Sequence, residues 1–245
     1  MQTPTTQSLL AAWELGRAEP HLIERGLLLL LAAYPGSPRP TLAQLSIGER
    51  DSLLLGLREQ AFGPGLTALA ECHQCGARLE FQLRVADLCV PRESPALETL
   101  TLSVGDYELE FRLPNSFDLS AVRETTDLDD KKQRLLERLV SRAWHCGLEI
   151  GTKELPEEVI AAMEDRMEKA DPQAVVQLSV HCDCCGHEWK TGFDIASFLW
   201  TEVDSWAIRI LREVHSLARA YSWSETDILA MSPWRRRCYL EMLGA

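Results

Sequence analysis

Cys72-His-Gln-Cys75-Gly76 and Cys182-Asp-Cys-Cys185-Gly186 decide the fold, although more than a hundred residues separate them. Each sets two cysteines at C-x-x-C spacing, puts glycine next, and runs on into a strand-like segment. Those segments are Leu79-Glu-Phe-Gln-Leu83 and Trp189-Lys-Thr-Gly-Phe193. The correspondence continues at constant offset, with Leu83-Arg-Val85-Ala86 matching Phe193-Asp-Ile195-Ala196. One C-x-x-C is weak evidence. Two, with matching glycines and matching strands, are the two halves of a tetrahedral four-cysteine zinc site, as in a zinc ribbon.

The expected ligands are Cys72, Cys75, Cys182 and Cys185. Cys184 competes with Cys182, and the repeat favours Cys182. Glycine after the second cysteine has a physical reason, because a residue without Cβ lets backbone N–H groups approach the sulfurs. Closing so long a loop costs about 4 kcal/mol. Structural zinc contributes about 10–16 kcal/mol in model peptides, enough to close it. With all four positions filled by thiolates, the metal keeps no open site for catalysis. Thioredoxin-type redox chemistry is also disfavoured, since both pairs precede strands instead of opening a helix.

The formal charge of −12 counts against non-specific nucleic-acid binding, which draws its affinity from Lys and Arg on phosphates. Met1-Gln-Thr-Pro-Thr-Thr-Gln7 has no basic n-region, so no signal peptide is expected. The most apolar run, Gly26 to Ala33, is too short to span a bilayer. Eight cysteines without a secretion signal point to a reducing, cytoplasmic setting.

The rest of the chain is organised around the two knuckles. Helical spacing predicts one helix around Leu9, Leu10 and Trp13, and a second from Ile23 to Leu31. A third is predicted through Leu53, Leu54, Leu57 and Phe62. Leu100-x-Leu102-x-Val104, Gly105-Asp106 and Tyr107-x-Leu109-x-Phe111 predict a β-hairpin. A helix near Phe117 is expected to use Asp118 as its N-cap, and a longer one to carry Leu135, Leu136, Leu139, Val140 and Ala143 up to Gly147. Another begins after Pro156. A stripe from Leu199 to Tyr221 predicts a long helix, followed by two short ones at Ser224 and Ser232-Pro233.

The expected fold class is therefore α+β, mainly helical, with a split zinc ribbon and an inserted β-hairpin. Its parts are an N-terminal helical region (1–65), the ribbon halves (66–90 and 174–196), the insertion (97–172) and the C-terminal helices (197–245).

No catalytic residue is expected. The sequence has no phosphate-binding glycine loop, no H-E-x-x-H and no G-x-S-x-G. His145-Cys146 would point in different directions on a helix. His73, His181 and His187 flank the cysteines as exposed neighbours rather than ligands. The candidate partner surface is Trp234-Arg235-Arg236-Arg237, a basic cluster with an aromatic on the last helix of an acidic chain.

Three stretches carry a family likeness. They are Ile47-Gly-Glu-Arg-Asp-Ser-Leu-Leu-Leu-Gly-Leu-Arg58, then Phe111-Arg-Leu-Pro-Asn-Ser-Phe-Asp-Leu119, then Leu217-Ala-Arg-Ala-Tyr-Ser-Trp-Ser-Glu-Thr-Asp-Ile-Leu-Ala-Met-Ser232. Together they resemble the T-even-type phage baseplate hub assembly chaperone family and its counterparts in phage-tail-like contractile injection systems. The resemblance spans residues 8–243. It implies a non-enzymatic assembly chaperone or baseplate component that binds hub, spike or tube proteins, either in the cytoplasm or within an assembled tail-like particle. The zinc inference rests on the cysteine spacing and not on the resemblance. A zinc-ribbon nucleic-acid or transcription accessory protein is the alternative, opposed by the charge and by the lack of basic residues near either knuckle.

Overall fold

A computed structural model describes residues 3–91 and 99–244. The boundary expected at residue 97 lies outside the described residues. The chain divides into two units, Met1–Ser37 with Ile195–Ala245, and Pro38–Asp194. Helix predominates, and the strands form small antiparallel sheets. Among the described residues no helix is long and apolar enough to cross a membrane.

The first unit is all helix: α1 (Thr6–Arg17), α2 (Leu22–Ala33), the long α9 (Ile195–Tyr221), α10 (Glu225–Ala230) and α11 (Pro233–Met242). Thr5, Ser224 and Ser232 accept N-cap bonds from the N–H three residues on, which satisfies donors the helices leave open. The α9 stripe buries Leu199, Val203, Ala207, Ile210, Val214 and Leu217. Trp200 joins it at 8% exposure, with the Arg25 guanidinium over its ring at 4.7 Å. Trp13 Nε1 donates to Asp204 at 2.8 Å, which pins α1 to α9.

The second unit holds everything between. A short α3 (Arg39–Gln44), opened by Pro38, was not predicted from the sequence, where Pro and Gly dominate the surroundings. Helix α4 (Ile47–Phe62) starts with a capping box in which Ser46 Oγ accepts from Glu49 N and Glu49 accepts from Ser46 N. Strands β1 (Gly65–Glu71) and β2 (Arg78–Arg84) form a two-stranded ladder across the first knuckle, followed by a single helical turn, α5 (Val85–Leu88). Strands β7 (Val176–His181) and β8 (Glu188–Phe193) do the same across the second knuckle.

Between the knuckles, β3 (Leu100–Val104) and β4 (Tyr107–Phe111) form the predicted hairpin, but it is half of a larger sheet. After α6 (Ser116–Val122) and α7 (Leu128–Leu139), the chain returns as β5 (Val140–His145) and β6 (Leu148–Glu149), giving a sheet of order β3-β4-β5-β6. The long helix expected to reach Gly147 therefore stops at Leu139. Val140 and Ala143 lie in a strand, where pairing with β4 satisfies an otherwise open edge. Asp127 is the N-cap of α7, its side chain accepting from Asp130 N, and the charged residues after it open the helix. Helix α8 (Glu157–Ala170) covers the sheet, and Leu100, Leu109, Phe111, Leu136, Ala143, Val159, Ile160 and Met163 make one apolar core there.

Polar contacts tie α4 to this core. Ile47 N donates to Pro114 O at 3.1 Å, and Gly48 N donates to Asp171 Oδ2 at 2.8 Å. A Cβ on Gly48 would overlap the Asp171 carboxylate and reach Ala174 N at 2.9 Å. Gly48→Ala is therefore expected to cost about 1–3 kcal/mol by overpacking, read as a lowered urea midpoint with an unchanged slope.

Asp51 is 8% exposed beside Arg50, whose Nη2 lies 2.7 Å from its carboxylate. Burial pushes the Asp51 carboxyl up to about 6. Arg50 opposes the rise, while Asp194 and Asp171 add to it. An acid whose pKa rises on folding holds its proton longer in the native state, so its contribution to stability falls between its ordinary value and about 6. Relative to Asp51→Asn, the parent chain should lose a few kcal/mol between pH 4 and pH 6.5. Denaturant titrations at the two pH values measure the difference.

Candidate metal centre

The two knuckles have the same local geometry. Gly76 and Gly186 sit at φ +69° and +74°, the left-handed region that glycine enters without penalty. Gly76 N donates to Cys72 O and Gly186 N to Cys182 O, each at 2.8 Å. Cys72 N donates to Ala77 O and Cys182 N to His187 O, each at 2.9 Å. The burial pattern repeats too: Cys72 and Cys182 are buried, and Cys75 and Cys185 face solvent.

The turns bring the four sulfurs together, all within 4.8 Å of one another. Cys72 Sγ lies 3.7 Å from Cys185 Sγ, and Cys75 Sγ lies 3.7 Å from Cys182 Sγ. A tetrahedron of thiolates about 2.3 Å from a zinc ion has edges of about 3.8 Å. The cross-knuckle distances therefore fit that ion, and the four cysteines can hold a metal. Cys184 is exposed and outside the cluster, so the arrangement uses Cys182.

Backbone amides serve the sulfurs as the glycine turn requires. Burial acts to raise the Cys72 thiol, but N–H groups of Cys75 and Gln74 and the facing thiols of Cys182 and Cys185 bring it down to about 7. The Ala77 N–H favours the Cys75 thiolate and the His187 N–H favours that of Cys185, the same i+2 relation in each knuckle. Despite that N–H, burial and the three other sulfurs push Cys185 up to about 12. Charge collected on one sulfur resists charge on the next, a conflict that a central cation relieves.

None of the flanking histidines joins the cluster. His73 and His187 both pack on Trp189, with ring centroids at 5.4 Å in each case, and His181 Nδ1 sits 3.4 Å from Glu188 Oε1. Sequence spacing placed the histidines beside the cysteines but gave no sign that Trp189 lies between two of them.

The basic stretch on α11 separates by direction. Trp234 is 76% exposed. Arg235 lies over the Tyr239 ring at 5.7 Å, and exposed Arg237 pairs with Glu241 at 2.9 Å. Arg236 turns inward, 1% exposed, where it bonds Glu213 at 3.2 Å and Met231 O at 2.8 Å. The expectation of four surface residues therefore needs correcting for Arg236. A run of three arginines carries no signal for which one the helix turns toward its neighbour, and Glu213 is far away in sequence.

His145 and Cys146 are not on a helix. His145 ends β5, and Cys146 opens the β5–β6 turn at φ +51°.

Against known proteins, residues 7–200 match the family described as T4 bacteriophage base plate protein. No match to a curated protein or to a solved structure accompanies it. The match takes in α2, α4, both cysteine knuckles and the sheet between them, which include two of the stretches that carried the likeness in the sequence. By that coverage the chain belongs to the T4 bacteriophage base plate protein family.

Proposed function

We propose that the protein works without catalysis, as an assembly chaperone or component of the baseplate of a contractile tail or contractile injection system. It binds other proteins, and a structural zinc in the four-cysteine cluster holds its second unit together. Family membership is the observation that carries the baseplate reading. The sulfur tetrahedron supports the zinc, because four thiolates with cross distances of 3.7 Å match the softness and size of that ion.

The expected partners are hub, spike or tube proteins. The exposed part of α11 is the proposed contact: Trp234 supplies apolar area, and Arg235 and Arg237 supply positive charge. Arg236 serves the fold instead.

The test is co-expression with tube, hub and spike proteins, followed by affinity purification and metal analysis. Stoichiometric co-purification with at least one of them, weakened in a Trp234→Ala, Arg235→Glu double variant, is the expected result. Failure to retain any of the three would end the baseplate reading. Retention by DNA with strong salt dependence would favour the nucleic-acid alternative instead.

A further inference from the structure

Two hairpin turns in the four-stranded sheet place Asp106, His145 and Cys146 together. Gly105-Asp106 joins β3 to β4, and Cys146-Gly147 joins β5 to β6. Tyr107 pairs with His145 across the sheet, so the two turns lie at the same end. Cys146 N donates to Asp106 O at 2.9 Å, which fixes one turn against the other. One carboxylate oxygen, one imidazole nitrogen and one thiol sulfur then fall within 4.8 Å of one another.

Two details favour a ligand here over an accident of the surface. Cys146 adopts φ +51°, and Gly147 follows at +77°. A two-residue turn with both central residues in that region favours Asn-Gly or Asp-Gly, and cysteine there is held against its own preference. Strain of this kind concentrates where a side chain is aimed for a purpose. The His145 ring is oriented as well, stacked on Tyr107 at 4.2 Å with an angle of 10° between the planes. Tyr107 thus acts as a positioning residue for the imidazole.

We propose that Asp106, His145 and Cys146 form a second metal site, selective for a borderline divalent cation such as Zn2+, Co2+ or Ni2+. One oxygen, one nitrogen and one sulfur donor suit that class and exclude Mg2+ and Ca2+, which take oxygen ligands. A tetrahedral ion spaces its ligands about 3.3–3.8 Å apart, so side-chain rotation of roughly 1 Å closes the set. Three protein ligands leave one position for water or for a donor from a bound protein. This distinguishes the site from the four-cysteine cluster, which fills every position itself.

Co2+ added to the intact chain, as purified, tests the assignment. Bound cobalt is counted by equilibrium dialysis, and the thiolate-to-cobalt charge-transfer absorption is recorded. Cys146→Gly suits the positive φ and Asp106→Asn keeps the turn, so both variants should fold. Each is expected to bind cobalt at least about tenfold more weakly at one equivalent per chain. Both variants should lose the site's thiolate-to-cobalt absorption at one equivalent, and with cobalt in excess Asp106→Asn should regain it while Cys146→Gly, lacking the sulfur, should not. The comparison is between variant and parent, so the count falls by one whether or not the four-cysteine cluster holds metal. Equal cobalt uptake by parent and both variants overturns the proposal, as does a fall in uptake with no change in absorption for Cys146→Gly.

Discussion

Cys182→Ser protein is expected to emerge from purification without its metal and to melt at least about 10 °C below the parent chain. Cys182 is fully buried and its sulfur lies 3.7 Å from Cys75, so serine removes one corner of the tetrahedron at its least tolerant point. Structural zinc is worth about 10–16 kcal/mol in peptides. A loss of only about 5 kcal/mol would shift the midpoint by about 10–20 °C in a chain of this size. Strong chelators should reproduce the shift in the parent and leave the variant unchanged. Cys184→Ser, outside the cluster, should melt like the parent. A metal-free parent of undiminished stability would remove zinc from the account and leave the four thiols as a packing feature.

Asp118→Ala is the second large effect, and it needs no metal. Asp118 is fully buried and receives Arg112 through both oxygens at 2.6 and 2.8 Å, Arg138 Nε at 2.9 Å, and Asn115 N at 3.0 Å. Burial acts to raise its carboxyl, but Arg112, the Asn115 N–H and Arg138 together hold it below the ordinary value. Removing one member of a buried ionic network leaves the others uncompensated, which typically costs about 3–5 kcal/mol. Urea unfolding should show that loss near neutral pH, with a smaller one for Asp118→Asn. The sign with pH is opposite to that of Asp51. A depressed acid contributes fully above its unfolded value and loses the contribution as pH falls through its lower folded value, so the variant and the parent should converge in strong acid.

Asp118 also shows how far the sequence can be read. It was expected as an N-cap, but Asn115 holds that position and Asp118 stands three residues on, returning a bond to Asn115 N. The capping grammar was visible and its phase was wrong by one turn, because Asn115 Oδ1 accepts from both Phe117 N and Asp118 N and so starts the helix earlier. Apolar spacing gave α1, α2, α4 and α9, and alternation gave β3 and β4, since those elements bury one face each. The β5 strand was missed for a different reason. Leu135, Leu136 and Leu139 lie at helical spacing, and nothing local says that Val140 stops the helix. Only the open edge of β4 does.

The cysteines were legible because the repeat doubles the signal, and the match of the two knuckles in φ, hydrogen bonds and burial gives the reason. Asp106 and Cys146 gave no such signal. Their proximity depends on a sheet whose third strand was read as helix and whose fourth was not expected at all.

The cross-knuckle pairing has a mechanical side. Cys72 follows β1 and Cys182 follows β7, so a cation among the four sulfurs would join the chain across everything between them. A pull on the second unit, applied from β1 toward β8, would then pass through metal–sulfur bonds and leave the intervening sheet and α6 to α8 slack. The buried Arg112–Asp118 network and the apolar core under α8 would carry no tension until the cluster opened. If the chain serves in a contractile tail, as proposed, such a bypass shields the folded module from load for as long as the metal cluster holds.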